Sequence, residues 1–148
     1  MLWRFKPMII TITGSVGKTS TKEIVATLLS EHSSVRKSPK SYNSDFGVPL
    51  AILGLESAWS SPGGWIKNLL TGFAKIISLS SYPEYLVLEM GVDRPGDLDS
   101  LLKWIHPDTA IITAIGSMPV HVEFFENPEK VAEEKSKLSR AVPENGTV

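Results

Sequence analysis

Short apolar runs alternate with amphipathic stretches along most of this chain. MIITIT, Met8–Thr13, is a β-branched run stopped by Gly14, the pattern of a buried parallel strand. From Lys18 to about His32, Ile24, Val25, Leu28 and Leu29 return at helical spacing among polar residues, which predicts an amphipathic helix. Ser33–Asp45 is polar and irregular, with a short strand expected at Ser34–Arg36. FGVPLAILGL, Phe46–Leu55, predicts a short helix with Pro49 in its first turn. After the SSPGG loop at Ser60–Gly64, Trp65, Ile66, Leu69, Leu70, Phe73, Ile76 and Ile77 trace one face of a helix. A stripe of this kind ordinarily packs on a core, and core packing is the expectation here. YLVLEM, Tyr85–Met90, reads as a second central strand closed by an acid. A helix is predicted from Arg94, with Pro95 near its first turn. DTAIITAI, Asp108–Ile115, is a third buried strand, and PEKVAEEKSKLSRAV, from Pro128, is the last helix. The PENG turn of Pro143–Gly146 is followed by Thr147 and Val148, which read as the start of a further strand.

Strands alternating with helices predict an α/β fold, a three-layer domain of phosphate-loop type with a mainly parallel sheet. No internal repeat or low-complexity segment interrupts the pattern.

Composition narrows the function classes. The chain has 148 residues, enough for one domain with a proper core, and 42% hydrophobic against 21% charged residues, as soluble globular proteins have. A formal charge of −1 gives no reason to expect a nucleic-acid or membrane partner. Without cysteine there is no disulfide framework, thiolate chemistry or cysteine zinc cluster. No apolar run reaches the roughly 18 residues of a membrane span. MLWRFKP at the start is basic but lacks a signal-cleavage pattern, so a cytoplasmic location is expected by default.

The chemistry concentrates in ITITGSVGKTSTKE, Ile10–Glu23. A phosphate loop curls consecutive backbone N–H groups around an anion at a helix N-terminus. Its common spacing, G-x-x-x-x-G-K-[ST], would put the first glycine at Ile12, whereas the available one is Gly14. The parts are nevertheless present. Gly14 and Gly17 serve the turn, Lys18 supplies charge to the β- and γ-phosphates, and Thr19 offers a hydroxyl to Mg²⁺. Gly-Lys-Thr also occurs in ordinary turns; its place between a buried strand and an amphipathic helix favours phosphate binding. Glu89, closing the second central strand, falls at the sheet edge where ligands bind in such folds. Beside the loop it is the expected second Mg²⁺ contact; alone it would read as a solvent-facing strand end.

TGSVGKTSTKE resembles the loop of the Mur ligases and folylpolyglutamate synthases, where TG-[TS]-x-GKT replaces the common spacing. YNSDFGVPL at Tyr42–Leu50, VLEMGVDRPGDL at Val87–Leu98, AIITAIG at Ala110–Gly116 and the segment from His121 to Leu138 agree in order. The serine form of the loop, the TKE after it and EMG-x-x-x-PG point to the D-alanyl-D-alanine-adding branch of the Mur ligases. The resemblance runs from about Pro7 to the end. It implies the central ATP-binding domain of an ATP-dependent carbon–nitrogen ligase of peptidoglycan precursor synthesis. In such ligases ATP phosphorylates a substrate carboxylate, and an amine attacks the acyl phosphate to give an amide, ADP and phosphate. ATP and Mg²⁺ are the implied cofactors, and UDP-MurNAc-peptide and D-alanyl-D-alanine type compounds the implied substrates of a full enzyme.

Position by position, the resemblance implies that Gly14, Ser15, Val16, Gly17, Lys18, Thr19 and Ser20 form the nucleotide loop. Asn43 would lie near the transferred group. Thr19 and Glu89 would hold one Mg²⁺ and His121 a second. Lys135 falls where many members carry a carbamylated lysine, which acts towards metal as a carboxylate. Lys18, His121 and Lys135 are therefore the candidate catalytic residues. Read from composition alone, Lys135 is one solvated charge among several in EEKSK and His121 a loop histidine. The chain departs from the family pattern at Val16, where asparagine is common, at Asn43-Ser44, where an asparagine pair is common, and at Met118-Pro119-Val120 before His121.

Residues 1–7 read as a leader or linker remnant and residues 8–148 as an incomplete, C-terminally truncated central domain. The flanking substrate and C-terminal domains of the family are expected to be absent. The expectation is a fragment that binds Mg-ATP without ligating. Two other readings stay open at this stage: a folylpolyglutamate synthase-like core, and a non-catalytic nucleotide-binding module.

Overall fold

Three β-branched or leucine-rich runs form the inner strands and bury side chains against helices, while the edge strand Val35–Lys37 is polar and only partly covered. The computed structural model describes residues 1–39, 42–78, 81–115 and 124–148. Its elements in chain order are α1 (Leu2–Phe5), β1 (Met8–Thr13), α2 (Lys18–Ser30), β2 (Val35–Lys37), α3 (Gly47–Leu53), α4 (Pro62–Ser78), β3 (Tyr85–Glu89), α5 (Asp97–Leu102), β4 (Thr109–Ile112) and α6 (Pro128–Arg140). The strands make one parallel sheet of order β2-β3-β1-β4.

Side-chain alternation splits the sheet into two faces. Ile9, Leu86, Leu88 and Met90 pack with Val48 and Ala51 of α3, Leu98 and Leu101 of α5, and Val131 and Leu138 of α6. Ile10, Ile12 and Val87 point the other way and pack with Val25, Ala26 and Leu29 of α2. Helices thus cover both faces, and the expected three-layer α/β architecture with a parallel sheet is what the chain adopts. Thr11 and Thr13 are buried within β1, and their hydroxyls donate to the carbonyls of Thr109 and Met90 at 3.2 and 3.0 Å. Register pairs Ile12 with Glu89, so the loop leaving β1 starts beside the acid that closes β3.

Several boundaries differ from expectation for local reasons. Helix α5 begins at Asp97 rather than Arg94, because the Asp97 carboxylate accepts the N–H groups of Asp93 and Arg94 and holds them in a turn. Strand β4 ends at Ile112, after which Ala114 bridges antiparallel to Val16. Thr147 adds beside Thr109 as a parallel bridge, in keeping with the strand start expected there. The first residues are not simply a linker: Leu2–Phe5 form a helical turn, Leu2 packs against the main core, and Phe5 stacks on Tyr82 with centroids 5.1 Å apart.

The clearest correction concerns α4. Its apolar stripe was expected in the core, yet Ile66, Leu69, Leu70, Phe73, Ile76 and Ile77 are all exposed, and Gly72 is the buried residue of the helix. The reason lies on the other side of the helix. Asn68 donates to the Glu56 carbonyl at 2.7 Å, and Lys75 donates to those of Leu53 and Gly54 at 3.1 and 2.8 Å. The polar edge satisfies carbonyls at the C-terminus of α3, which leaves the apolar arc facing outward.

Candidate functional site

The turn from β1 into α2 is built on two glycines with positive φ. Gly14 has φ +143°, and a Cβ placed on it would fall 1.9 Å from Thr113 Oγ1, so only glycine fits between the strand end and β4. Gly17, at φ +88°, caps α2 in a left-handed conformation that lets the next N–H groups turn towards the loop. The Ala114 carbonyl accepts the N–H groups of Ser15 at 2.9 Å and Val16 at 3.3 Å. Lys18 folds back so that its ammonium donates to the Gly14 carbonyl at 2.9 Å. We expect Gly14→Ala to destabilise the fold by about 2 kcal/mol or more, since it adds both a forbidden φ and a steric clash; urea unfolding of the two proteins measures it.

Next to the loop, the Thr19 hydroxyl donates to Glu89 Oε2 at 3.1 Å. Glu89 is itself fixed, because its N–H donates to Ser38 Oγ at 3.1 Å and its side chain is nearly buried. The Lys22 ammonium lies 3.4 Å from the same Oε2 and is completely buried. It is also 3.7 Å from Glu23, an exposed acid whose carboxyl is held below its usual range chiefly by its hydrogen bond to Lys37. Lys22 and Ser38 were not singled out from the sequence. The lysine of TKE sits at i+4 from Lys18, on the same side of α2, and that spacing was the available signal.

A cavity of about 150 Å³ opens over the loop, lined by Gly14, Ser15, Lys18, Asn43, Asp93 and Lys135 among others. It joins residues from four separate stretches of chain. Asn43 is held there because its carbonyl accepts the Gly91 N–H at 2.7 Å. Lys135 is buried, and its choice over its neighbours is geometric: Lys137 turns away to pair with Glu134 and Asp99, each at 2.6 Å. Glu134 in turn accepts the N–H groups of Gly96 at 3.1 Å and Leu98 at 3.3 Å, tying α6 to the start of α5 and aiming Lys135 inward.

Burial, with the Lys18 ammonium as a second cause, pulls the Lys135 amine down from its usual 10.5 to about 8, against Asp93 and Glu134, which draw it up. In the window from about 8 to 10.5 the unfolded chain therefore binds a proton that the folded chain has shed. Stability should rise with pH through that window and lose this contribution as pH falls through the folded value. Denaturation of the parent and of Lys135→Met across that range reads the effect as a widening difference in favour of the parent at higher pH.

The loop and its surroundings fit an anion with a divalent cation. Ser15 Oγ is buried and lacks a hydrogen-bond partner among the described residues, although its residue lines the cavity. Among the described residues no three His, Cys, Asp or Glu side chains converge. A cation held by Thr19 and Glu89 would need oxygens from a phosphate and water, which is how Mg²⁺ is commonly bound. Of the residues expected from the sequence, Gly14, Ser15, Lys18, Asn43 and Lys135 line one cavity, and Thr19 and Glu89 are bonded to each other. Val16, Gly17 and Ser20 belong to the same turn without lining that cavity, with Val16 exposed. His121 lies outside the described residues.

A family model described as the Mur ligase middle domain matches residues 12–62 and 67–148. Among curated proteins, the UDP-N-acetylmuramoyl-tripeptide–D-alanyl-D-alanine ligase of Borreliella burgdorferi is 34% identical over 129 residues, covering 87% of this chain and 22% of that protein. The Bacillus subtilis ligase of the same name is 29% identical over 140 residues, covering 95% of this chain and 25% of its own length. The chain thus spans about a quarter of the length of these relatives. Among solved structures, the MurF ligase from Thermotoga maritima in complex with ADP superposes with a TM-score of 0.72 at 33% identity, over 99% of this chain and 29% of that one. MurF from Acinetobacter baumannii gives a TM-score of 0.70 at 26% identity, over 95% and 25%.

Proposed function

From the premise that this chain belongs to the Mur ligase family, as its middle domain, we propose that it binds Mg-ATP at the β1–α2 loop. In this reading it is the nucleotide-binding core of an ATP-dependent ligase that forms amide bonds in peptidoglycan precursor synthesis. The observation that carries the reading is the single cavity that gathers Gly14, Ser15, Lys18, Asn43 and Lys135 beside the Thr19–Glu89 pair. The ADP named with the Thermotoga maritima ligase supports the choice of nucleotide. Substrates of the UDP-MurNAc-peptide and D-alanyl-D-alanine type follow from the names of the relatives.

The roles of the residues follow from their chemistry. Loop N–H groups and the Lys18 ammonium bind phosphate oxygens, with Lys18 exchanging the Gly14 carbonyl for them. Thr19 and Glu89 would hold Mg²⁺, which neutralises phosphate charge when bound. Asn43, positioned against Gly91, offers its amide to the group being transferred. His121 is assigned to a second cation on the family pattern alone. By itself the 148-residue chain is proposed to bind nucleotide without ligating. Titration calorimetry tests the reading: saturable Mg-ATP binding at one site supports it, and the absence of binding heat overturns it.

Lys135 has the chemistry for a modified role. Carbamylation needs a neutral amine to attack CO₂, and an amine that titrates near 8 supplies one at mildly alkaline pH. The resulting carbamate is an anion that can hold metal as a carboxylate does. With ¹³C-bicarbonate, a carbamate carbonyl resonance is expected from the parent and absent from Lys135→Arg; equal spectra would remove this role.

A further inference from the structure

Helix α4 has its amphipathic character reversed with respect to its own domain. At 3.6 residues per turn, Trp65, Ile66, Leu69, Leu70, Phe73 and the Ile76-Ile77 pair fall within an arc of about 140°. Most of that arc is open to solvent, with Leu69 73%, Leu70 67% and Phe73 65% exposed, while its Trp65–Leu69–Ile76 edge borders α3. The side turned inward carries Asn68, Gly72 and Lys75, whose bonds to the α3 terminus fix the helix in this orientation. Gly72 is the buried residue of the helix, and an added Cβ there would touch Leu53 Cδ1 at 3.4 Å and Leu55 Cδ1 at 3.6 Å. Between α3 and α4 the apolar surface continues into a groove of about 380 Å³, lined by Phe46, Pro49, Leu50, Leu53, Leu69 and Phe73 among others.

The two chain segments that border this face carry only cations, and one acid, Asp45, lines the groove beside it. The segments Met1–Pro7 and Pro62–Ser78 hold Arg4, Lys6, Lys67 and Lys75 and no acid. With 15 cations and 16 acids in the whole chain, the remainder carries a formal −5, so the overall −1 hides a segregation. The two segments are joined in space, because the Arg4 guanidinium donates to the Ile76 carbonyl at the end of α4. Tryptophan marks the same region: Trp3 is 90% and Trp59 84% exposed, and the Trp65 indole N–H donates to the Trp59 carbonyl at 2.9 Å.

We propose that the outward apolar arc of α4, with Arg4, Lys6 and Lys67 beside it, docks on an anionic lipid surface. Its 17 residues make a helix of about 25 Å, short of the roughly 30 Å hydrocarbon core. Among the described residues no helix is long and apolar enough to cross a membrane. The helix therefore lies in the plane of the interface, its apolar arc among acyl chains, with Trp65 and Lys67 at headgroup level. A second copy of the chain is the weaker occupant. Pairing two α4 helices would bring cations together with no acid on either helix to offset them.

Co-sedimentation of the 148-residue chain with phosphatidylcholine vesicles, with and without phosphatidylglycerol, tests the proposal. The expected result is binding to the anionic vesicles with a blue shift of tryptophan emission, and weak binding to the neutral ones. Ile66→Glu with Leu70→Glu, both exposed and remote from the nucleotide cavity, should abolish binding while leaving the far-ultraviolet spectrum and Mg-ATP titration unchanged. Reversing Lys67 and Lys6 to glutamate should weaken binding to anionic vesicles by at least about fivefold per cation removed and leave neutral vesicles unaffected. Two results overturn the proposal: failure of the parent to bind either vesicle, and binding that survives Ile66→Glu/Leu70→Glu. Sedimentation equilibrium identifies the alternative, since dimerisation without vesicle binding, lost in the same double variant, gives the face to a second copy.

Discussion

Lys18→Ala is expected to weaken Mg-ATP binding by roughly 10- to 100-fold, with little change in fold stability. Charge-assisted hydrogen bonds are worth about 1.5–3 kcal/mol, and about 1.4 kcal/mol corresponds to tenfold in affinity. The ammonium now donates to the Gly14 carbonyl at 2.9 Å, an internal bond on a partly exposed loop, so its loss costs the empty protein little. Lys18→Ala also relieves Lys135 of a like charge across the cavity, which should raise the Lys135 amine towards its usual value. Titration calorimetry on both proteins gives the affinity ratio, and equal affinities would remove the phosphate role of the loop. Coupling to Lys135 is read separately, from the pH dependence of carbamate formation in the variant.

Glu89→Ala should be costly to the fold as well as to metal binding. Removing the acid leaves the buried Lys22 ammonium, 3.4 Å from Glu89 Oε2, with Glu23 at 3.7 Å as its remaining acidic neighbour among the described residues. Breaking one side of a buried ion pair costs about 3–5 kcal/mol, and the exposed Glu23 favours the lower end. For a chain of this size that is a fall in Tm of roughly 10 °C. The double variant Glu89→Leu with Lys22→Met removes the uncompensated charge and should recover most of the stability, because apolar pairs of similar volume often replace buried ion pairs without loss. Mg²⁺-dependent nucleotide binding should stay impaired in both. Thermal unfolding followed by calorimetry with and without Mg²⁺ separates the two losses; if the double variant were as unstable as Glu89→Ala, the unpaired-lysine account would fail.

Much of the fold was readable because its signals are local. The runs of β1, β3 and β4 are short, apolar and β-branched or leucine-rich, and each ends at a glycine or a polar residue; α2 and α6 carry a helical period. The glycine turn between β1 and α2 was legible for the same reason, since Gly14, Gly17 and Lys18-Thr19 lie close together and their order is set by the covalent chain. Lys135 was harder. In EEKSK every lysine has the same local pattern, and the distinction comes from Glu134, which is bound to the N–H groups of Gly96 and Leu98 some 36–38 residues away. Lys22 was hidden likewise, since its burial depends on where α2 lies against β3.

The amino-acid sequence by itself determined the alternation of strands and helices, the parallel sheet that alternation demands, and the glycine turn that carries Lys18 and Thr19 into α2. These follow from periodicity and from contiguous residues, which act over one turn of chain. Only the tertiary structure decided which way each amphipathic helix faces and which distant groups share a cavity. Hydrophobic pattern states that α4 has an apolar side, but where that side points depends on the bonds of Asn68 and Lys75 to the carbonyls of Glu56, Leu53 and Gly54. Those partners precede the helix in the chain and meet it through folding alone. The same holds for Lys18 of α2, Asn43 of the loop before α3 and Lys135 of α6, which line one cavity only when the sheet and its helix layers close around them.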